Sequence, residues 1–349
     1  MNATLVRAVE QVVSNKAAPA KALASAEKTY RAGAKACSAG PYDGEMEPTM
    51  DAVSLQSADL SVRVALRGAE IKSLRTANGI ELIWHGDTIW WDYSAPVLFP
   101  IIGPVALDRV QCQGKPFAMA SHGFARTSIF EVLDLASDRV TLALKASTAT
   151  REYYPFDFTL QIEHRLSGAS LCTEVTIVNT GSQPLPASFG FHPALRGPMA
   201  GRPRAEHQLI FEQAERAKVK TVIRGGQLLS TDTTLPLQDR CLRLSDHLFE
   251  QGALVLDPVQ SQGLALADDL GPLVHIRWTG CPQLGLWTKP GAPFVCVEPW
   301  AGHPRPVGWD GELADKPGSM RLAPGDSRTF SMRFDCKPLL QRQTEPRPH

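Results

Sequence analysis

From residue 52 onward the chain is a succession of short segments in which apolar and polar residues alternate, and this period of two limits the possible folds more than any other feature. Such segments cover residues 62–66, 69–74, 129–133, 140–144, 209–211, 253–256, 274–278, 284–287, 294–297 and 328–334. Two longer ones, 156–166 and 171–178, are joined through Ser167-Gly168-Ala169-Ser170 and read as a long hairpin. Turn signals such as Ala77-Asn78-Gly79 and Asn179-Thr180-Gly181 divide the segments. Few stretches hold a helical period, no Gly-rich phosphate loop follows a strand, and no repeat of fixed period is present. Many short strands at regular spacing predict an all-β sandwich or barrel over residues 51–336.

The ends read differently. Residues 1–50 are rich in Ala, Ser, Lys and Arg, and residues 3–13 can form one short amphipathic helix. Their few acidic residues give them a passing likeness to an organellar presequence. The adopted expectation is an N-terminal extension, helical or disordered, without a secretory signal. Residues 337–349 are polar and Pro-containing and are expected to form a flexible tail. Lys plus Arg and Asp plus Glu both total 36, so the chain has no general attraction for nucleic acid or an anionic membrane, and a small-molecule partner fits better. The seven cysteines are scattered without a CxxC pair, which favours free thiols in a reducing cytoplasm over a disulfide framework or zinc knuckle.

Three segments set ionisable side chains beside Pro, Gly and aromatics at strand ends: Ser121-His122-Gly123-Phe124-Ala125-Arg126, Phe189-Gly190-Phe191-His192-Pro193, and Phe294-Val295-Cys296-Val297-Glu298-Pro299-Trp300. In the last, alternation puts Phe294, Cys296 and Glu298 on one face and Val295 and Val297 on the other. A carboxylate beside Phe and Cys is partly desolvated, which raises its pKa towards the range of a general base. Pro299 is expected to end that strand and leave Glu298 at its rim. Taken singly, each residue has an ordinary structural role: a hydrogen-bonded histidine, a capping carboxylate, an ion-pairing arginine. The concurrence of three such segments in a β-rich chain is what points to chemistry. Trp84, Trp90 and Trp91 are read as core, whereas Trp287 and Trp300 lie near the candidate site and can stack on a sugar ring.

At these residues the chain resembles the aldose 1-epimerase (galactose mutarotase) family, most closely its LacX-like bacterial subgroup. The likeness runs through Gly68-Ala69-Glu70-Ile71, Glu81-Leu82-Ile83-Trp84, residues 90–103 (WWDYSAPVLFPIIG), His122-Gly123-Phe124-Ala125-Arg126, Tyr154-Pro155-Phe156, Phe191-His192-Pro193-Ala194, Leu284-Gly285-Leu286-Trp287 and Glu298-Pro299-Trp300, in the family's order. It spans residues 52–335 and implies a β-supersandwich of two large, mostly antiparallel sheets and an acid/base mechanism without metal or nucleotide. Carried over, Glu298 resembles the general base that takes the anomeric hydroxyl proton, and His192 the general acid that protonates the ring oxygen. His122 resembles a second histidine that contacts the sugar, and Arg126 of the same motif is placed on sugar hydroxyls or a phosphate. The implied partner is a sugar or sugar phosphate bound to a cytoplasmic monomer or homodimer.

Two positions depart from the family's pattern. Pro104 stands where related sequences usually carry Arg, and Ala301 where they carry an aromatic; both bear on sugar specificity. No Asp, neither Asp246 nor Asp257, can be assigned to the substrate. Three rival readings follow. A hexose-6-phosphate 1-epimerase would hold its phosphate with Arg126 and Arg109 or Lys289. A carbohydrate-binding or regulatory protein would keep the cleft without the chemistry. A metal enzyme would use His122, His192, His303 and Glu298 as ligands, and ranks last because their spacings are not those of a metal motif.

Overall fold

The computed structural model describes residues 51–197, 204–216, 218–223 and 225–342; the expected extension over residues 1–50 and residues 343–349 of the tail lie outside the described residues. Nearly every element is a strand, and the two large sheets are antiparallel along their ladders. The nine-stranded sheet runs, in spatial order, Cys241–Arg243, Gln208–Phe211, Gly263–Asp268, Gly271–Thr279, Ser327–Asp335, Ser170–Asn179, Phe158–Ser167, Arg139–Lys145 and Glu131–Leu135. The expected hairpin forms its sixth and seventh strands, with Ser167 opposite Ser170 and Phe158 opposite Asn179. Its first strand shows why this sequence makes sheet: Phe158, Leu160, Ile162, His164 and Leu166 are buried, while Gln161 and Arg165 between them face out.

The eight-stranded sheet carries the site. Its order is Leu228–Thr234, Lys218–Val222, Ala253–Leu256, Gln283–Trp287, Phe294–Ala301, Phe189–Phe191 and Val97–Leu98, and Ala194–Arg196 also pairs with Phe294–Ala301. The sheets share one apolar core, to which the second sheet gives Leu284, Leu286, Val295 and Val297 and the first gives Leu160, Ile162, Val175 and Phe330. Phe189 of the second sheet stacks on Phe330 of the first, ring centres 4.7 Å apart and 24° from parallel. Each such buried side chain contributes about 1.5–3 kcal/mol through apolar surface removed from water. A smaller three-stranded sheet, Ala52–Gln56, Leu60–Ala65 and Glu70–Thr76, brings Glu70 to the main body, where its carboxylate accepts from Ser94 N at 2.5 Å and Ala95 N at 3.0 Å.

The structure corrects three expectations. The strand Phe294–Ala301 continues through Pro299, and Glu298 is buried at 1% exposure rather than set at a rim. Val297 N–H reaches Pro193 O, so by alternation the nitrogen of residue 299 faces the same side. On that side the register sets Phe191 opposite residue 299, whereas the ladder to Gln283–Trp287 on the other side does not use the nitrogen of residue 299 and runs on past it through Glu298 and Trp300. The strand expected at 129–133 begins at Glu131, because Phe130 N–H donates to Leu66 O and Ile129 pairs with Arg67. The tail expected from residue 337 opens with a short helix, Lys337–Arg342, held by the buried Leu339.

Candidate active site

The break between Phe189–Phe191 and Ala194–Arg196 brings the two expected proton-transfer groups together. Phe189 lies opposite Ala301 and Ala194 opposite Cys296, and this one register carried across the break sets His192 opposite Glu298. His192 Nε2 stands 3.0 Å from Glu298 Oε2, with both side chains buried. They lie in the wall of a cleft of about 700 Å³, within the usual range for small-molecule sites. The opposite face of the same strand, with Val295 and Val297, belongs to the core, as alternation predicts.

Aromatics hold the imidazole of His192 on two sides. Trp91 stacks on it at 4.7 Å and 28°, and Trp287 meets it edge-on at 5.9 Å. Trp300 lies in the cleft floor at only 2% exposure, against Gly190 and Gly285, where a Cβ would stand 2.5 Å and 2.6 Å from its ring. It is therefore a packed floor rather than an open stacking face.

His122 enters from the loop 121–126. Gly123 has φ +76°, and a Cβ there would sit 2.1 Å from Phe99 O, so only glycine lets the loop approach this closely. The His122 ring centre is 5.6 Å from that of His192. Its Nδ1 accepts from Gly103 N–H at 3.2 Å, which places the proton of the neutral ring on Nε2 as a donor.

Burial, and then the charge of Arg126, lower the pKa of His122 to about 3. Burial, with smaller contributions from His122 and Arg126, pushes His192 well below its ordinary 6.5. Burial drives Glu298 well above its ordinary 4.5. The Trp300 indole N–H beside Glu298 counters part of this, at a geometry short of a proper hydrogen bond. Both shifts favour the neutral forms, in which the Glu298 carboxyl would donate to His192 Nε2.

The other expected residues separate. Arg126 stands behind His122 rather than in the cleft wall: its Nη2 donates to Ser121 O at 2.8 Å and its guanidinium lies 4.5 Å from the Tyr93 ring centre. Arg109 is exposed at the start of the strand Arg109–Cys112, outside the cleft. Lys289 lines the cleft and donates to Trp90 O. It is the one cationic side chain among the described lining residues, which also include Glu250 and Glu298. His303 turns its Nδ1 to Pro304 O at 2.8 Å and does not join the other histidines. Asp246 accepts from Gly291 N–H, and Asp257 binds Lys220 and Gln283. Pro104 lines the cleft mouth against Gly226, whereas Ala301 faces the core with Val295 and Val297, so only the first departure shapes the cleft.

Sequence reasoning missed Trp91, read as core, and gave Cys296 no role. Cys296 Sγ, a nitrogen of His192 and an oxygen of Glu298 all lie within 4.8 Å of one another. Alternation had put Cys296 on the right face, but nothing local separates Trp91 from Trp90.

Comparison with known proteins extends this geometry. The sequence profile of the aldose 1-epimerase family matches residues 51–335. Chromosomal protein LacX of Lactococcus lactis subsp. lactis is 28% identical over 286 residues, 79% of this chain and 96% of that protein. The crystal structure of a galactose mutarotase related enzyme from Lactobacillus acidophilus superposes with a TM-score of 0.75 at 28% identity, covering 81% of this chain and 97% of the other. A galactose mutarotase-like protein from Lactobacillus casei gives 0.73 at 27% identity, covering 81% and 99%.

Proposed function

The chain belongs to the aldose 1-epimerase family, and on that premise we propose that it interconverts the α and β anomers of a free hexose by acid/base ring opening and closure. The observation that carries the proposal is the buried contact of His192 Nε2 with Glu298 Oε2 at 3.0 Å in the cleft wall. Opening a cyclic hemiacetal needs one group to remove the anomeric hydroxyl proton and another to protonate the ring oxygen. The pair holds one proton in total. Moving it from Glu298 to His192 creates the carboxylate base and the imidazolium acid in one step, with no ion drawn from solvent. A sugar entering between them takes its ring-oxygen proton from His192 and gives its hydroxyl proton to Glu298. Rotation about the exposed C1–C2 bond and closure in the reverse sense then give the other anomer. His122, with Nε2–H available, donates to the sugar, and Trp91 and Trp287 supply apolar walls.

The unphosphorylated sugar is favoured over a hexose 6-phosphate by charge. A phosphate calls for convergent cations, and among the described lining residues Lys289 alone is cationic while Glu250 and Glu298 are acidic. The direct test follows relaxation of freshly dissolved α-glucose, α-galactose and their 6-phosphates by polarimetry or proton NMR. Exchange is expected to accelerate with at least one free sugar, and Glu298→Gln to lower it by about 10²–10⁴-fold, the usual contribution of a proton-transfer group. Full activity in Glu298→Gln sinks the mechanism. Faster exchange of the 6-phosphates alone reassigns the substrate. Sugar binding without exchange in the unaltered protein makes it a carbohydrate-binding protein.

A further inference from the structure

Cys296 has no part in the acid/base reading, yet it sits two residues from Glu298 on the same face of the cleft strand, with His192 across the strand break. Among the described residues, His192, Cys296 and Glu298 form the one group of three potential metal ligands whose donor atoms lie within 4.8 Å of one another, and all three are buried. Cys296 and Glu298 lie within one strand and His192 between two short strands that pair with it, so the donors are already gathered.

The charge balance of this trio selects its ligand. One thiolate, one carboxylate and one neutral imidazole around a dication give a cluster of zero net charge, the state that a water-poor site tolerates best. The mixed sulfur, nitrogen and oxygen set suits Zn²⁺, Cd²⁺ or Co²⁺, whereas Mg²⁺ and Ca²⁺ demand oxygen shells. Three protein donors leave a fourth position of a tetrahedral shell for another ligand. We infer that His192, Cys296 and Glu298 form a binding site for a thiophilic divalent cation of the zinc class, and that its occupation inhibits the anomer exchange proposed above. Binding replaces the thiol and carboxyl protons, so two protons pass to solvent and no redox change occurs. Inhibition follows because the metal takes the imidazole nitrogen and carboxylate oxygen that would otherwise carry the sugar's protons. The binding half stands on the trio's geometry alone; the inhibition half rests on the acid/base reading.

The experiment uses the full chain stripped with EDTA and then freed of chelator. Titration with Co²⁺ should give one equivalent of near-ultraviolet sulfur-to-cobalt absorption, displaced by Zn²⁺ and lost in Cys296→Ser. Because a buried substitution can perturb folding, X-ray absorption of the zinc-loaded unaltered protein is the second measurement. It should show one sulfur at about 2.3 Å with nitrogen or oxygen neighbours at about 2.0–2.2 Å. Saturating Zn²⁺ should slow anomer exchange at least tenfold, EDTA should restore it, and Mg²⁺ should leave it unchanged. In a folded Cys296→Ser the zinc concentration for half-inhibition should rise at least tenfold. No sulfur in the zinc shell, or cobalt–sulfur absorption that persists in Cys296→Ser through another thiol, overturns the site. Unchanged exchange in the zinc-saturated protein overturns the inhibition. Cobalt bound through Cys296 in a protein without anomer exchange at any metal level upholds the site and defeats the acid/base reading instead.

Discussion

The guanidinium of Arg126 donates to Ser121 O and faces the Tyr93 ring, so it works on the histidines through charge and through the shape of the 121–126 loop. Its positive charge helps to lower both His122 and His192. The pair's one-proton form is the reactive one, which sets the signs of the pH profile. Gain of a second proton removes the base, and with His192 depressed this acid limb lies below its ordinary 6.5. Loss of the last proton removes the acid, and with Glu298 raised this limb lies above its ordinary 4.5. Arg126→Gln is expected to move the acid limb of kcat/KM to higher pH and to leave KM within about threefold, read from exchange rates across pH; the size is an order-of-magnitude figure for loss of one nearby charge. A tenfold rise in KM with an unmoved limb would return Arg126 to direct sugar contact. The motif residues His122, His192 and Glu298 were legible in the sequence because each breaks a strand pattern with an ionisable group beside Pro or Gly. The side to which Arg126 turns was not, because it depends on Tyr93 and Ser121 around it.

At the scale of the element, the cleft strand Phe294–Ala301 has all eight residues buried, and its two faces do different work. Glu298 lines the cleft with Cys296 buried beside it on the same face, and Val295 and Val297 face the core. The floor of the cleft depends on Trp300 lying against Gly285 of the adjacent strand. Gly285→Ala would bring a Cβ to 2.6 Å from that ring and is expected to cost about 1–3 kcal/mol, as overpacking does, seen as a lower denaturation midpoint with a weakened sugar affinity. The segment following the strand holds a buried cation. Lys316, at 2% exposure, donates to His303 O, and burial lowers its pKa to about 7. In the unfolded chain this lysine binds its proton up to about 10.5, its ordinary value. Between these values the unfolded state holds the extra proton, so this group makes the fold more stable as pH rises, by up to about 1.4 kcal/mol per unit. Lys316→Met should abolish that slope: the midpoint of the variant relative to the parent should be higher at pH 7 than at pH 9. A pH-independent difference would show that Lys316 is buried without titrating in that window.

At the largest scale, the described residues form two large antiparallel sheets on a shared core, with the cleft on the other face of the eight-stranded sheet. No helix among the described residues is long and apolar enough to cross a membrane. The described residues of the cleft run from Trp91 to Pro304, inside the span matched by the family. Deletion of residues 1–50 is therefore expected to leave anomer exchange within about twofold of the full chain, the scale of a change that touches no site group. A tenfold loss in a folded deletion variant, confirmed by its circular dichroism, would assign the extension a role in the cleft.

Sequence alone determined the alternation of strands, the long hairpin between Phe158 and Asn179, and the face on which Cys296 and Glu298 lie. These follow from a local rule: successive side chains point to opposite sides of a strand, and a buried face demands apolar residues at every second position. Tertiary structure decided the rest. The expected stop at Pro299 failed because its missing N–H points away from Gln283–Trp287, and the ladder to that strand carries the backbone past it. The break between Phe189–Phe191 and Ala194–Arg196 and its continuous register set His192 3.0 Å from Glu298, a contact between segments remote in the chain. The opposed pKa shifts of His192 and Glu298, the withdrawal of Arg126 and Arg109 from the cleft wall, and the convergence of Cys296 with the pair all arise from pairing and burial across the sheet, which no local period encodes.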